Sequence, residues 1–508
     1  MSRTERAAVY AVVFLSGALL MSLEVAAFRI IGKTFGSALR ETTAVIAVFL
    51  AAMSIGYWAG GRAGDRWPRP GTLIAALFGA AALLLVVPWL DAWISPRIAG
   101  SRLELAMHAF LATTLLFALP TILFASISPI AIRLFATTTG RSGSTAGSIS
   151  AVSTIGSIAG SVVTAFVLID HLGSIARTVI AAAAATCATA VILLLAMLPR
   201  LRAERSWRRR PAIAIAIALA LGLPALTFIR STRIEQSLLT PLPGWRVVFV
   251  GDSPYHRVTV REHRGQVRIL SFAAGTQSRM LVNDPLGPGT PYTDAAHLSR
   301  LMRPNVRRVL LIGLGGGTIA KQFTHYYPDA SVDAVEVDPL VVDVAQKYFG
   351  VQPSDRLRIH VADGRIFLTR SSEKWDLILV DAYTTNRYGD TIPPHLVTQE
   401  FFRQASQHLS DGGIVHFHYA LGGKKLFPAL QKTMASVFAT VYVTGGEILG
   451  SDVALITTKE TLLERALHSP AGRLPNLAPY IAGMRPYTRV GDDIPLLTDD
   501  YAPVDTLR

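Results

Sequence analysis

The chain has 508 residues, 51% of them hydrophobic, with a formal net charge of +14 and a mean hydropathy of +0.39. Its single cysteine, Cys187, lies in an apolar run, which excludes a disulfide framework and a cysteine-based metal site, and no metal centre is expected. The positive charge is not a nucleic-acid footprint. No aromatic-and-basic pattern accompanies it, and many arginines sit in short loops between apolar segments, where they act as membrane orientation signals.

A spanning helix needs about 20 mostly apolar residues. Seven stretches qualify, at about 7–31, 42–60, 71–90, 105–136, 147–169, 174–197 and 211–229, so residues 1–230 read as an all-α transmembrane bundle. The first stretch is too long, and followed by too many others, to be a cleaved signal peptide. Pro120 interrupts the fourth, where a kink or a tilt is expected. The fifth is dense in small residues, and Gly156 and Gly160 form a GxxxG that lets helix backbones approach closely. Arg3 and Arg6, then Arg62, Arg66 and Arg69, then Arg133 and Arg141, then Arg200 to Arg210 fall on alternate sides of the segments, which places all four groups in the cytoplasm. Segment 211–229 would then carry the rest of the chain outward.

After residue 230 the pattern changes. "WRVVFVG" and "HRVTVREHRGQVRILSF", with the turn "HRG", read as a small antiparallel β region over 240–300. From 301 to 508 strands alternate with helices, which argues for a mostly parallel sheet. "RRVLLIG" is its first strand, "LGGG" the turn into a helix near "TIAKQF", "SVDAVEVD" the second strand, "LRIHVADG" the third and "WDLILVDAY" the fourth.

Gly313, Gly315, Gly316 and Gly317 allow a ligand close to the backbone at a helix N-terminus. Glu336, at the second strand end and 23 residues after Gly313, is placed to accept both hydroxyls of a ribose. Asp363-Gly364 follows the third strand and Asp381 ends the fourth. A dinucleotide domain shares the first two features; acids at the third and fourth strand ends fit an S-adenosyl nucleoside better, with Asp363 near the adenine amino group. The fold class is therefore a bundle of about seven transmembrane helices, a small antiparallel β region, and a Rossmann-like S-adenosyl-nucleoside-binding domain.

At this point the sequence resembles the spermidine synthase (polyamine aminopropyltransferase) family over about 245–415. "DSPYHRVTV" resembles its opening strand, "AAGTQSRM" a loop that contributes Gln277, and "PYTDAAHL" a Tyr-x-acid gate that contributes Tyr292 and Asp294. "VLLIGLGGGTIAKQF", "AVEVDPLVVDVAQKYF" and "IHVADGRIFL" follow the family's nucleoside-binding blocks in order and spacing. The closing "LLTDDYAPVDTL" is similar to the tail of a bacterial branch that fuses this domain to membrane helices.

The resemblance implies that Asp381 is the base for the attacking amine. It implies that Gln277, Gly313, Gly315, Gly317, Glu336, Asp363 and Gly364 bind the nucleoside, and that Tyr255, His256, Tyr292, Asp294 and Tyr383 line the acceptor site. It also implies an S-adenosyl nucleoside as co-substrate with no tightly bound cofactor, a small amine acceptor, a lipid bilayer around the helices and pairing through the soluble domain. The location it implies is a bacterial inner membrane with the soluble half in the cytoplasm, against the count of seven segments.

The departures bear on the reaction. The family's acid within the glycine loop falls on Gly315, and the second acid of a pair after the fourth strand falls on Thr384. His256 replaces a Gln, and Thr293 stands between Tyr292 and Asp294. Gly315 would free backbone N–H groups for a carboxylate. The reading is accordingly aminopropyl transfer from decarboxylated S-adenosylmethionine to an amine. The alternatives are methyl or aminoalkyl transfer from S-adenosylmethionine, and a transporter or sensor with a regulatory nucleoside domain. For the last, "GYWAGGRAGDR" is a short, shuffled likeness to the loop between the second and third helices of major-facilitator transporters.

Overall fold

The computed structural model describes residues 2–35, 39–101, 105–135, 142–172, 175–203, 222–228, 243–253, 255, 257–272, 275–287, 289–382, 384–386, 389–420, 425–454, 457–470, 476–504 and 507. They fall into two compact units, Met1–Thr240 and Pro241–Arg508.

The first unit is built from α1 (Arg3–Phe35), α2 (Leu39–Arg66), α3 (Pro70–Ala99), α4 (Leu105–Phe135), α5 (Ser142–Val163), the short α6 (Ile169–Leu172) and α7 (Ile175–Ala203), with a π-helical stretch Thr164–Leu168 between α5 and α6. Among the described residues six helices are long and apolar enough to cross a membrane. The seventh candidate, 211–229, lies outside the described residues except for 222–228, which are helical. α4 runs unbroken through Pro120 and Pro129.

Glycine faces set the packing of this unit. A Cβ on Gly156 or Gly160 of α5 would overlap the carbonyl oxygens of Phe14 and Ala18 on α1, so the two backbones touch and run parallel. Ser22 and Ser157 tie the same pair together by donating to the carbonyls of Gly160 and Gly17, each at 3.3 Å. Gly56 and Gly60 do the same for α2 against α4: a Cβ there would come within 2.6 Å of Ile122 O and 2.5 Å of Ser126 O. Glycine faces of this kind let helix backbones approach closely and pack against each other.

The second unit begins with an antiparallel sheet in the order β1 (Trp245–Asp252), β2 (Arg257–His263), β3 (Val267–Phe272), β4 (Gly275–Leu281). Its inner face, with Val258, Val260 and Leu270, shares a core with Val341, Val344 and Phe349 of the helix Pro339–Phe349.

An eight-stranded sheet follows. Its parallel strands are β5 (Arg308–Ile312), β6 (Ser331–Glu336), β7 (Leu357–Val361), β8 (Trp375–Val380) and β11 (Leu409–His418). Between β8 and β11 a small hairpin pairs β9 (Thr384–Asn386) with β10 (Gly389–Thr391). Beyond β11 the antiparallel hairpin of β12 (Thr440–Thr444) and β13 (Glu447–Ser451), with β14 (Arg485–Pro486), extends the edge, giving the order β14-β12-β13-β11-β8-β5-β6-β7.

The central strands read as continuous apolar runs because both faces are covered. Val309, Leu311, Leu377 and Leu379 enter one core, and Leu310, Ile312, Ile378 and Val380 enter the other. The chain leaves β5 toward β6 on one side and reaches β8 on the other. This switch opens a crevice at the strand ends, where such sheets bind ligands.

Candidate active site

Three glycines shape the crevice. Gly313, Gly315 and Gly317 have φ of 96°, 52° and 70°, a region other residues adopt at a cost. A Cβ on Gly313 would overlap the carbonyl of Asp381, so the turn after β5 and the end of β8 lie against each other, joined by Asp381 N–H donating to Ile312 O at 2.9 Å. The result is a cleft of about 280 Å³. Tyr255, Gln277, Tyr292, Gly313, Gly315, Glu336, Asp363, Gly364 and Asp381, all singled out from the sequence, line it.

Glu336 ends β6 and is 8% exposed. Its Oε2 accepts the N–H groups of Leu314 at 3.0 Å and Gly315 at 3.4 Å, and its Oε1 accepts Asp338 N–H at 3.1 Å. Burial raises its pKa, and these bonds oppose the rise. Asp363 caps the helix Gly364–Arg370 through Oδ1, which accepts Arg365 and Ile366 N–H at 3.0 and 2.9 Å; its Oδ2 meets His395 Nε2 at 2.8 Å. The His395 bond holds Asp363 below the usual carboxylate range. Gln277 Nε2 is sealed from solvent and has no hydrogen-bond partner among the described residues, a donor left for a ligand.

The glycine-loop amides turn out to be engaged within the protein. Leu314 and Gly315 donate to Glu336, Gly316 to Ser278 Oγ at 2.8 Å, and Gly317 to Leu314 O at 2.8 Å. The expectation that Gly315 frees them for a carboxylate therefore meets Glu336 and Ser278 already in place.

Asp381 is half-buried, and its Oδ1 is sealed with no hydrogen-bond partner among the described residues. Burial pushes its pKa up to about 7; Glu447 and Glu336 add to the rise, while His418 and the Tyr292 hydroxyl, which donates to it, work against it. Tyr292 stacks on His418, ring centroids 4.2 Å apart.

Not every candidate reaches the cleft. Asp294 is fully buried and turned aside, its Oδ2 accepting from Asn476 Nδ2 at 2.8 Å. Gly317 caps the helix Thr318–Tyr326 and faces Val351. His256 and Tyr383 lie outside the described residues, as does the side chain of Thr384. Sequence reading missed Ser278, His395, His416, His418 and Glu447. The alternation in "IVHFHY" put both histidines on one face of an apolar strand, a signal for an interior polar pair.

A mostly parallel sheet with a glycine turn at its switch point, an acid at the end of the next strand and a carboxylate at the end of β8 is the arrangement of an S-adenosyl-nucleoside-dependent transferase. Residues 292–445 match the spermine/spermidine synthase domain family. The polyamine aminopropyltransferase of Vibrio vulnificus (strain CMCP6) is 30% identical over 291 residues, 54% of this chain and 95% of that protein. A probable polyamine aminopropyl transferase of Bifidobacterium longum (strain NCC 2705) is 31% identical over 46% of this chain and 51% of its own. The crystal structure of a probable spermidine synthase from Corynebacterium glutamicum superposes with a TM-score of 0.39 at 17% identity, over 50% of this chain and 99% of that one. The chain belongs to the polyamine aminopropyltransferase family.

Proposed function

We propose that this is a membrane-anchored aminopropyltransferase that moves the aminopropyl group of decarboxylated S-adenosylmethionine to a small amine, with Asp381 as the base. The neutral amine attacks the carbon next to the sulfonium, the carbon–sulfur bond breaks toward sulfur, and the leaving thioether takes the electron pair. The new ammonium gives its extra proton to Asp381. No covalent enzyme intermediate is needed, because the sulfonium is already a good leaving group, and the protein's work is alignment and proton removal.

The observation that carries this reading is Asp381 itself. It stands at the switch-point crevice beside Gly313, with one oxygen unpartnered among the described residues and a pKa near 7. Glu336 and Gln277 would hold the ribose end and Asp363 the adenine. The engaged loop amides favour a donor that lacks a carboxylate, which supports the decarboxylated nucleoside over S-adenosylmethionine. Pairing of two chains through the soluble half belongs to the same proposal.

The six described spans return the chain to the side of its N-terminus by residue 203, and the arginine-rich loops fall on that side. This supports a bacterial inner membrane with the transferase in the cytoplasm. The test uses full-length protein in detergent, both donors and a panel of mono- and diamines, with the released thioether nucleoside measured. Turnover with the decarboxylated donor alone is expected. Turnover with S-adenosylmethionine instead would make the chain a methyl or aminocarboxypropyl transferase, and turnover with neither would remove the enzymatic reading.

A further inference from the structure

Behind Asp381 the polar groups continue into the interior. Glu447, the first residue of β13, lies directly across the ladder from His418, the last residue of β11. Both of its oxygens are taken by imidazoles: Oε1 by His418 Nδ1 at 2.7 Å and Oε2 by His416 Nε2 at 3.0 Å. His416 is held in turn by Ser299 Oγ at 3.2 Å. Glu447 and His416 are each 1% exposed. Tyr292, Asp381, His416, His418 and Glu447 surround a cavity of about 10 Å³, the size of one water molecule.

An acid held by two histidines in a dry interior gives little stability over well-packed apolar residues. Its position against the same small cavity as Asp381 gives it another use. Among the described residues, the charged and titratable groups facing Asp381 are Tyr292 from the helix Pro291–Ala295, His418 from β11, Glu447 from β13 and Glu336 from β6. Tyr480, on the helix Leu477–Gly483, is near enough to Glu447 to feel its charge. Two of the groups facing Asp381 are acids, and His418 alone among them can be a cation.

We propose that the Glu447–His418 pair is a positioning device for amine deprotonation: Glu447 fixes the imidazole as a cation flat against Tyr292, and that cation keeps Asp381 ionised beside two other acids. The proposal rests on the assignment of Asp381 as the base. It fits the direction of both members of the pair. Burial works to raise Glu447, but the two histidines outweigh it and bring the carboxyl to about 2; burial also works against the His418 cation, and Glu447 overrides it.

The test is the pH dependence of kcat at saturating acceptor for full-length wild type, His418→Gln and His418→Lys, with nucleoside affinity measured alongside. Removing the cation makes Asp381 harder to ionise. The acidic limb of His418→Gln should therefore move to higher pH by about one unit, a tenfold loss of rate below the limb, with nucleoside affinity unchanged. His418→Lys, which keeps a cation, should bring the limb back toward wild type. A limb that stays in place in His418→Gln while the rate falls at every pH overturns the proposal. Loss of nucleoside binding in both variants overturns it too, since the pair would then be a fold element. A wild type inactive with every donor and amine strikes instead at the assignment of the base.

Discussion

As the proposed base, Asp381 has to meet two demands that pull apart. A base for an amine must be anionic at working pH, yet water must be kept from the reacting carbon, and exclusion of water disfavours the anion. Its pKa of about 7 is the compromise. Only the carboxylate can take a proton, so turnover should fall as the pH drops through about 7, and a rate profile between pH 5.5 and 9 at saturating acceptor checks this. Asp381→Asn keeps the shape and removes the base; it should lower kcat by about 10²- to 10⁴-fold while nucleoside affinity holds. Glu336→Gln should do the reverse. It exchanges a carboxylate accepting three backbone N–H groups for an amide, and nucleoside affinity measured by calorimetry should weaken by about ten- to a hundredfold. The cleft-lining residues Gly313, Glu336, Asp363 and Asp381 were legible in sequence because they sit at strand ends in fixed order. His418 and Glu447 were not, since they meet only through antiparallel pairing of strands 29 residues apart.

At the scale of elements, periodicity did most of the work. The runs "RVLLI" and "LILV" are apolar on both faces because they lie inside the sheet, and they end at Gly313 and Asp381, which line the cleft. The β12–β13 hairpin carried no such mark. Its short strands have ordinary alternation, and its partner β11 lies more than twenty residues upstream. In the helical unit the GxxxG at Gly156 and Gly160 does mark a helix contact, with α1 as its partner, which sequence alone did not name. Gly160→Leu would drive a side chain into the Ala18 carbonyl. Overpacking of this kind costs about 1–3 kcal/mol. The variant should melt earlier than wild type in detergent, and an unchanged melting curve would mean that α1 and α5 do not need close contact.

For the whole molecule the deciding number is six, the helices among the described residues that are long and apolar enough to cross a membrane. If all six cross, as proposed, an even count sets the exit of α7 on the same side as the N-terminus. Reporter tags after residue 203 and at the N-terminus should therefore give the same response in intact cells. Opposite responses would place an odd number of crossings before residue 203.

The antiparallel hairpin at the sheet edge has a further consequence, for how such proteins diversify. The proposed nucleoside end of the cleft is lined by the turns after β5, β6 and β7, and β5 and β6 lie inside the parallel part, where altering one strand disturbs its neighbours on both sides. Glu447 enters from an appended hairpin paired to the parallel strands along one side only. A change of hairpin can re-dress the amine end and leave the nucleoside end as it was, so descendants of one chain could inherit a fixed donor and trade acceptors.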